Sequence, residues 1–190
     1  YVADVLAKGV AAVIVTREVV AGDARQIVVA DTLAALGQVA QAWRLKWNPK
    51  IVALTGSNGK TTVKEMCAAI LRTALGDDAV LATAGNFNNE IGMPLTLLRL
   101  QAAHKVAVLE MGMNHFGEIA RLTEIAQPDV ALITSVGPAH LEFFGSVEQV
   151  ALAKGELYAG LSDSAVAVVN SDEPLLLQQA QRFSGNKLFF

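Results

Sequence analysis

The feature that most constrains the fold is residues 51–75, IVALTGSNGKTTVKEMCAAILRTAL. A short apolar run (51–54) leads into a glycine-rich turn (55–59), and the segment after the turn has its apolar residues at helical spacing. The order of strand, glycine-rich turn, Lys-Thr and helix is typical of a phosphate-binding loop, because backbone N–H groups of the turn and of the helix N-terminus can converge on one anion. The stretch therefore predicts an α/β fold that carries a nucleotide-phosphate site.

Two side chains of this loop have predicted roles. Lys60 supplies a positive charge for the β and γ phosphates, and the Thr61 hydroxyl can ligate Mg²⁺. The residues expected to contact the phosphates of ATP form one run: Gly56, Ser57, Asn58, Gly59, Lys60, Thr61 and Thr62. The match to G-x-x-x-x-G-K-S/T is imperfect, since Leu54 stands at the first glycine and the loop has the shorter form G-x-x-G-K-T. A glycine turn before a helix is often only a turn, but here all four neighbouring signals favour phosphate binding.

Composition restricts the class of protein. With 190 residues, 53% of them hydrophobic, the chain can bury the core of one domain or of one and a half. The mean hydropathy of +0.40 is high, yet no apolar run reaches the ~18 residues of a membrane span, so we expect a buried parallel sheet and no membrane insertion. The net charge of −3, without a basic cluster, argues against a nucleic-acid partner.

The cysteine content says little about chemistry. The single cysteine, Cys67, cannot form an internal disulfide, which fits a reducing cytoplasm. It lies on the apolar side of the predicted helix, so we expect an inert core thiol rather than a nucleophile. We expect a cytoplasmic protein that acts as a monomer.

Both ends of the sequence look cut, because it starts at Tyr1 and finishes in the strand-like run KLFF. We expect residues 1–31 to be the end of a smaller α/β N-terminal domain. Residues 32–50 then form a connecting helix and linker, with Asp31 as the helix cap. Residues 51–190 form the main α/β domain, which carries the phosphate loop.

From residue 51 onward, predicted strands and helices alternate with short connections. This pattern predicts a doubly wound, mostly parallel sheet. Further strands are expected at residues 79–82, 106–109, 130–133 and 165–169, and helices at 117–127, 147–158 and 174–182, with a short helix ending near residue 100. In such sheets, ligands bind beyond the carboxyl ends of the strands. The polar residues of those loops are therefore the functional candidates.

An acid stands at the tip of one predicted strand. Glu110 is placed to hold Mg²⁺ beside the phosphate loop, and the alternative is an ordinary strand-end acid that faces solvent. Asn114 and His115 follow in the same loop, and His140 follows the next strand, so it can reach the same edge. A lone histidine is more often structural than functional. His104 precedes a strand at the opposite edge and is assigned no role.

Two further features are ambiguous. Lys154 falls on the apolar stripe of the predicted helix 147–158, where it either extends to water or is partly buried with a lowered pKa and a reactive neutral amine. The loop TAGNFNNEIGMP, residues 83–94, contains three asparagines. These residues form a plain turn cluster, or they orient a polar substrate without adding charge.

Taken together, these motifs resemble the Mur ligase family of peptidoglycan synthesis. Five motifs occur in order and with the spacing of that family: TGSNGKTTVKEM, TAGNFNNEIGMPLTLL, LEMGMNHFGEI, GPAHLEFFGS and AKGEL. The resemblance covers the whole chain, because VADVLAKGVAAVIV and QIVVADT are similar to the end of the family's N-terminal domain. The phosphate loop alone would also fit folylpolyglutamate synthase or cyanophycin synthetase. The stretches GNFNNEIG and EMGMNHFGEI are similar to the member that uses D-alanyl-D-alanine.

The resemblance implies that residues 1–31 are the end of an N-terminal UDP-substrate domain, that residues 51–190 are a central ATP-binding domain incomplete at its C-terminus, and that a C-terminal domain is absent.

The resemblance also implies a reaction and a set of roles. ATP would phosphorylate the terminal carboxylate of UDP-N-acetylmuramoyl-tripeptide, and the amine of D-alanyl-D-alanine would then displace the phosphate. Lys60 would stabilise charge during the transfer, while Thr61 and Glu110 would hold a first Mg²⁺. His140 and a carbamylated Lys154 would support a second Mg²⁺, so both join Lys60 as catalytic residues. The residues implied to face the substrate are Asn86, Asn89, Asn114 and His115.

Three alternative functions compete with this interpretation. Another Mur-type ligase, MurE-like or MurD-like, is possible from the loop alone, but a MurE-like chain is expected to show an E-V-S-S-type motif. A GTPase is rejected, because the only candidate for its guanine motif, residues 186–189, lacks the acid. A non-catalytic ATP-binding partner subunit would have little reason to keep Lys60, Glu110, His140 and Lys154 together.

Overall fold

The computed structural model describes residues 1–139 and 141–190. The first segment contains helix α1 (Val2–Ala7) and strands β1 (Val13–Val15) and β2 (Gln26–Val28). The two strands pair in parallel, with Ile14 opposite Ile27. Residues 1–28 thus contain one helix and a pair of parallel strands.

Helix α2 (Thr32–Trp47) follows and connects this segment to the main sheet. The Asp31 carboxylate accepts hydrogen bonds from the N–H groups of Leu33 and Ala34 at 2.7 and 3.1 Å. These two bonds cap the helix and lower the pKa of Asp31. The helix ends at Asn48, which has a left-handed conformation with φ 46°. The predicted Asp31 cap is therefore confirmed.

The main sheet has six parallel strands in the described part of the chain, in the order β4-β5-β3-β6-β7-β8. Their bounds are β3 (Lys50–Thr55), β4 (Val80–Ala82), β5 (Val106–Glu110), β6 (Val130–Ile133), β7 (Val166–Val169) and β8 (Asn186–Phe189). The predicted doubly wound parallel sheet is confirmed. Strand β3 lies between β5 and β6, and its residue Leu54 is in register with Glu110. Glu110, the acid predicted to bind Mg²⁺, therefore lies beside the start of the glycine-rich loop.

Helices connect the strands across both faces of the sheet. They are α3 (Lys60–Leu75), α4 (Gly92–Leu97), α5 (Glu118–Ala126), α6 (Leu141–Phe144), α7 (Val147–Lys154), α8 (Glu156–Ala159) and α9 (Pro174–Ala180), with a 3₁₀ turn at Asp77–Ala79. The prediction of one continuous helix over 147–158 was wrong, because the helix is interrupted at Gly155. Glycine has low helix propensity, and this glycine lies against Gln179 of α9, where a larger residue would collide.

The core lies on both faces of the sheet, as the alternation of strand residues requires. Ile51 and Ala53 of β3 point into the larger cluster, which includes side chains of α2, α4, α5 and α8. Leu54 points the other way and packs with Ala68 of α3. A parallel sheet covered on both faces explains the high mean hydropathy. None of the described helices combines the length and apolarity needed to cross a membrane.

Candidate active site

The glycine-rich loop between β3 and α3 is held against the loop that follows β6. The Ser57 N–H donates to the Ser135 carbonyl at 2.9 Å, and the Thr134 hydroxyl donates to the Asn58 carbonyl at 2.6 Å. A Cβ atom at Gly56 would collide with the Thr134 hydroxyl, so this close approach requires glycine. The loop is therefore fixed before any ligand binds.

Helix α3 begins at the end of this loop. Its first N–H groups have no partner within the helix, and no described side chain caps them. Lys60 is the first helical residue, and its ammonium donates to the carbonyl oxygens of Gly56 at 2.8 Å and of Ser57 at 3.4 Å. The side chains of Thr61 and Thr62 are exposed at the same end. A concave loop, a helix N-terminus and a lysine at one point form a site for phosphate oxygens.

Two oxygen-bearing side chains meet beside the loop. The Thr61 hydroxyl donates to Glu110 Oε2 at 2.9 Å. Glu110 is only 2% exposed, although it is an acid at the end of β5. A hydroxyl and a carboxylate fit Mg²⁺, which typically takes one or two carboxylates from the protein and completes its shell with phosphate and water oxygens. Among the residues that the structure describes, no group of three or more His, Cys, Asp or Glu side chains is placed to hold a metal ion.

The other oxygen of Glu110 contacts an asparagine that the sequence did not single out. Asn88 Nδ2 donates to Glu110 Oε1 at 2.8 Å, and the Asn88 carbonyl accepts the Gly112 N–H at 2.8 Å. A Cβ atom at Gly112 would lie 2.9 Å from Asn88 Oδ1, so a side chain there would displace the amide. Its neighbour Asn89 uses Oδ1 to accept the N–H groups of Ile91 and Gly92, and so caps α4.

A cleft of about 400 Å³ opens between these loops. The predicted site residues that line it are Lys60, Asn86, Asn89, Asn114 and Lys154. Asn88 and Glu118, which were not predicted, line it as well. His115 does not line the cleft but lies at its margin, exposed, with Nδ1 3.2 Å from Glu118 Oε1. The cleft thus brings together residues from four separate connections of the sheet.

Lys154 is the last residue of α7, and its side chain is 3% exposed. The predicted burial is confirmed, and the alternative of a side chain that extends to water is wrong. Burial lowers the pKa of Lys154 to about 8, and repulsion from Lys60 contributes to the fall. Near neutral pH, the cleft therefore holds a lysine of which a sizeable fraction is neutral amine.

Two glutamates hold the loop between β5 and α5. Glu118 Oε2 accepts the N–H groups of Asn114 and His115 at 2.6 and 3.2 Å. Glu156 of α8 accepts the N–H groups of Gly117 and Ala120 at 2.9 and 3.0 Å, and so caps α5 from another helix. Glu118 is the first residue of α5, and an acid in the first turn is a usable signal of a helix start. No local pattern links Glu156 to α5.

Two histidines and the cysteine remain from the sequence analysis. His140, predicted to be catalytic and a metal ligand, lies outside the described residues. His104 Nδ1 accepts the Gln101 N–H at 2.9 Å, which is a turn contact and agrees with the absence of an assigned role. Cys67 is half-buried, and burial raises the pKa of its thiol, which disfavours the nucleophilic thiolate.

Comparison with known proteins identifies the family. The family model described as "Mur ligase middle domain" matches residues 54–190. The chain belongs to the Mur ligase family. The chain is 51% identical over 173 residues to the UDP-N-acetylmuramoyl-tripeptide--D-alanyl-D-alanine ligase of Haemophilus influenzae, covering 90% of this chain and 38% of that protein. The enzyme of the same name from Escherichia coli is 49% identical over 150 residues, covering 79% of this chain and 32% of that protein.

Solved structures of Mur ligases share the fold. MurF from Acinetobacter baumannii matches 100% of this chain with a TM-score of 0.90 and 40% identity, over 41% of its own length. MurF from Thermotoga maritima in complex with ADP also has a TM-score of 0.90, at 36% identity, over 100% of this chain and 43% of that one. The chain thus spans about two fifths of the length of these relatives.

Proposed function

We propose that the full-length protein is an ATP-dependent ligase of peptidoglycan synthesis, which joins D-alanyl-D-alanine to UDP-N-acetylmuramoyl-tripeptide through an acyl phosphate. The observation that carries the proposal is the cleft, which is lined by Lys60 of the phosphate loop, by the buried Lys154, and by Asn88, whose amide donates to Glu110. Relatives named for this activity support the choice of substrates.

ATP is proposed to place its phosphates in the loop formed by residues 56–62. The N–H groups at the start of α3 bind phosphate oxygens, and Lys60 neutralises charge that develops during transfer. Thr61 and Glu110 hold a first Mg²⁺, which neutralises the negative charges that ATP and the substrate carboxylate bring together. Asn88 orients Glu110 by donating to its second oxygen. The relative from Thermotoga maritima, solved with ADP, supports a nucleotide in this site.

A second Mg²⁺ is proposed to use His140 and a carbamylated Lys154. The neutral amine of Lys154 can attack the carbon of CO₂, which forms an N–C bond and opens one C=O π bond. One amine proton passes to solvent, and the product is a carbamate anion, –NH–COO⁻, on the same side chain. Its lowered pKa favours this reaction, because only the neutral amine is nucleophilic. A carbamate at the end of α7 would provide an oxygen ligand where an unmodified lysine provides none.

The substrate is proposed to occupy the cleft, where uncharged amides orient its polar groups. Asn86, Asn89 and Asn114 line the cleft, and His115 stands at its margin. We also propose the division of the chain given above: residues 1–31 as the end of a UDP-substrate domain, 32–50 as a connection and 51–190 as the central ATP-binding domain. The protein is proposed to act as a monomer in the cytoplasm.

Phosphate release by the full-length protein tests this function. We expect release only when ATP, UDP-N-acetylmuramoyl-tripeptide and D-alanyl-D-alanine are all present, with each omitted in turn as a control. Activity with a single amino acid in place of the dipeptide would favour a MurD-like or MurE-like ligase. No release with any acceptor would favour the non-catalytic subunit.

Carbamylation requires a separate test. In ¹³C-bicarbonate, the full-length protein should show a carbamate carbon signal by NMR that is lost in Lys154→Met. The variant Lys105→Met, which removes an exposed lysine, is the matched control. A carbamate signal that persists in Lys154→Met would contradict the assignment.

A further inference from the structure

A second buried lysine lies close to the phosphate loop. Lys64 stands one turn after Lys60 on α3, and its side chain is 1% exposed. Its ammonium donates to the Thr83 carbonyl at 2.8 Å and pairs with Glu65 Oε1 at 2.8 Å. A buried ammonium is unfavourable unless it is paired and hydrogen-bonded. Packing alone does not explain a lysine at this position, since an apolar residue would fill it without that cost.

The partner of Lys64 is itself bonded to the strand that carries the metal-binding acid. Thr83 follows β4 and is 2% exposed. Its N–H donates to the Val108 carbonyl at 3.0 Å, and its hydroxyl accepts the backbone N–H of Glu110 at 3.0 Å. Thr83 is thus held at its N–H, its hydroxyl and its carbonyl, and the last of these contacts comes from Lys64.

These contacts form a closed ring. It runs from Thr61 of α3 to the Glu110 carboxylate, from the Glu110 backbone to Thr83, and from Thr83 through Lys64 back to α3. Because Thr61 and Lys64 lie three residues apart on one helix, the phosphate-loop helix is tied to Glu110 by two routes. The distance between the hydroxyl and the carboxylate is therefore fixed by more than their own hydrogen bond.

We propose that Lys64 is a positioning residue for the Mg²⁺-binding carboxylate of Glu110 and acts through Thr83. This inference rests on the proposed function, because it concerns the metal of that site. Without the ammonium, the Thr83 carbonyl loses its buried partner and the end of β4 is no longer tied to α3. Glu110 then loses part of its preorganisation, and groups that orient metal ligands in this way typically change metal affinity by about 10–100-fold.

The test measures ADP binding by calorimetry in the full-length protein, over a range of Mg²⁺ concentrations and in its absence. In Lys64→Met, the Mg²⁺ concentration for half-maximal enhancement of ADP binding should rise about tenfold. ADP binding without Mg²⁺ should stay unchanged. Thr83→Val should have a similar effect, and the double variant should be little worse than either single one, because both changes break the same route. Glu65→Gln is the matched control, since it removes the charge of the other, exposed partner of Lys64. It should behave like the wild type.

Each result of this experiment either supports or overturns the positioning role of Lys64. A Mg²⁺ dependence in Lys64→Met equal to that of the wild type would overturn the inference and leave the proposed function intact. A wild-type protein whose ADP binding does not respond to Mg²⁺ would overturn the proposed function, and the inference with it. If Lys64→Met and Lys64→Gln both fail to fold while Glu65→Gln folds, Lys64 serves stability, and the inference is also overturned.

Discussion

Replacing Lys154 with methionine should stabilise the protein at neutral pH. Methionine keeps an unbranched stem and removes an ammonium that burial and Lys60 both disfavour. The fall in pKa from 10.5 to about 8 corresponds to about 3 kcal/mol, since each pKa unit is worth about 1.4 kcal/mol. The side chain is 3% exposed, so solvent screens little of this cost. We therefore expect Lys154→Met to raise the free energy of unfolding by up to about 3 kcal/mol at pH 7.

The dependence on pH gives the prediction its sign. The pKa of Lys154 is lower in the folded state, at about 8, than the ordinary value of 10.5 that applies to the unfolded chain. Well below pH 8, Lys154 is protonated in both states, and the destabilisation is fully present. As the pH rises from about 8 towards 10.5, the folded state loses its proton first, and the destabilisation disappears. The advantage of Lys154→Met should therefore be largest at pH 7 and vanish near pH 10.5.

Thermal unfolding of the full-length protein in CO₂-free buffer measures this effect. For an unfolding unit of this size, about 3 kcal/mol corresponds to a Tm difference of up to about 6–12 °C at pH 7. The control Lys105→Met should show no such pH-dependent difference, because Lys105 is exposed. A variant Lys154→Met that is less stable than the wild type at pH 7, or a difference that does not change with pH, would refute the reasoning.

The same change should remove function while it adds stability. With a pKa of about 8, about one quarter of Lys154 is neutral at pH 7.5, against about one part in a thousand at the ordinary pKa. This fraction makes carbamylation accessible near neutral pH. Lys154→Met and Lys154→Ala should both lose most ligase activity, and acetate or formate should restore part of the activity of Lys154→Ala. Near-normal turnover of Lys154→Ala without CO₂ or carboxylates would contradict the carbamate.

Three further predictions concern other parts of the site and its support. Lys60→Ala should lower the ligation rate about 100- to 1000-fold with the fold intact by circular dichroism, because it removes a charge aimed at the transferring phosphoryl group; full activity would reject the phosphate-loop assignment. Glu156→Gln should lower the free energy of unfolding by about 1 kcal/mol, since it weakens the cap of α5, and should raise the KM for the tripeptide; an unchanged Tm and KM would reject the capping role. Tyr158→Phe should cost about 1–3 kcal/mol in chemical unfolding, because its hydroxyl bridges the Ile133 N–H and the Val168 carbonyl; its KM for ATP should not change.

The fold was largely predictable because its signals are local. Helical spacing after a glycine-rich turn, Asp31 before a helix and β-branched runs at regular intervals each depend on neighbouring residues. The order of the strands is not local. That Glu110 ends opposite Leu54 depends on β5 pairing with β3, and this pairing follows from packing between distant segments. The sequence predicts that Glu110 lies at a strand end, but only the order of the strands brings it beside Thr61.

Helix α3 shows where periodicity fails. Its apolar pattern favours burial of Met66 and Ile70, yet these residues are 58% and 67% exposed, while Lys64 is 1% exposed. Hydrophobic spacing indicates a helix but cannot register that one lysine has a carbonyl partner on a neighbouring strand. For a similar reason the sequence singled out Asn89 but not its neighbour Asn88, which donates to Glu110. Two adjacent identical side chains differ only in the direction that the backbone of the loop gives them.

The two lysines of the cleft show how one edge of the sheet supports two kinds of chemistry. Lys60 stands at the mouth of the loop, half-buried, and donates to carbonyl oxygens of the loop that it closes. It can present a cation to phosphate without moving far. Lys154 enters the same cleft from α7, where burial is nearly complete and Lys60 is its repulsive neighbour. The first lysine thus favours the second in its neutral form, because the cation that attracts phosphate also repels a second cation. A cation and a neutral amine within one cleft are what the proposed reaction would need, because it would bind several phosphates and also form an anionic metal ligand from CO₂.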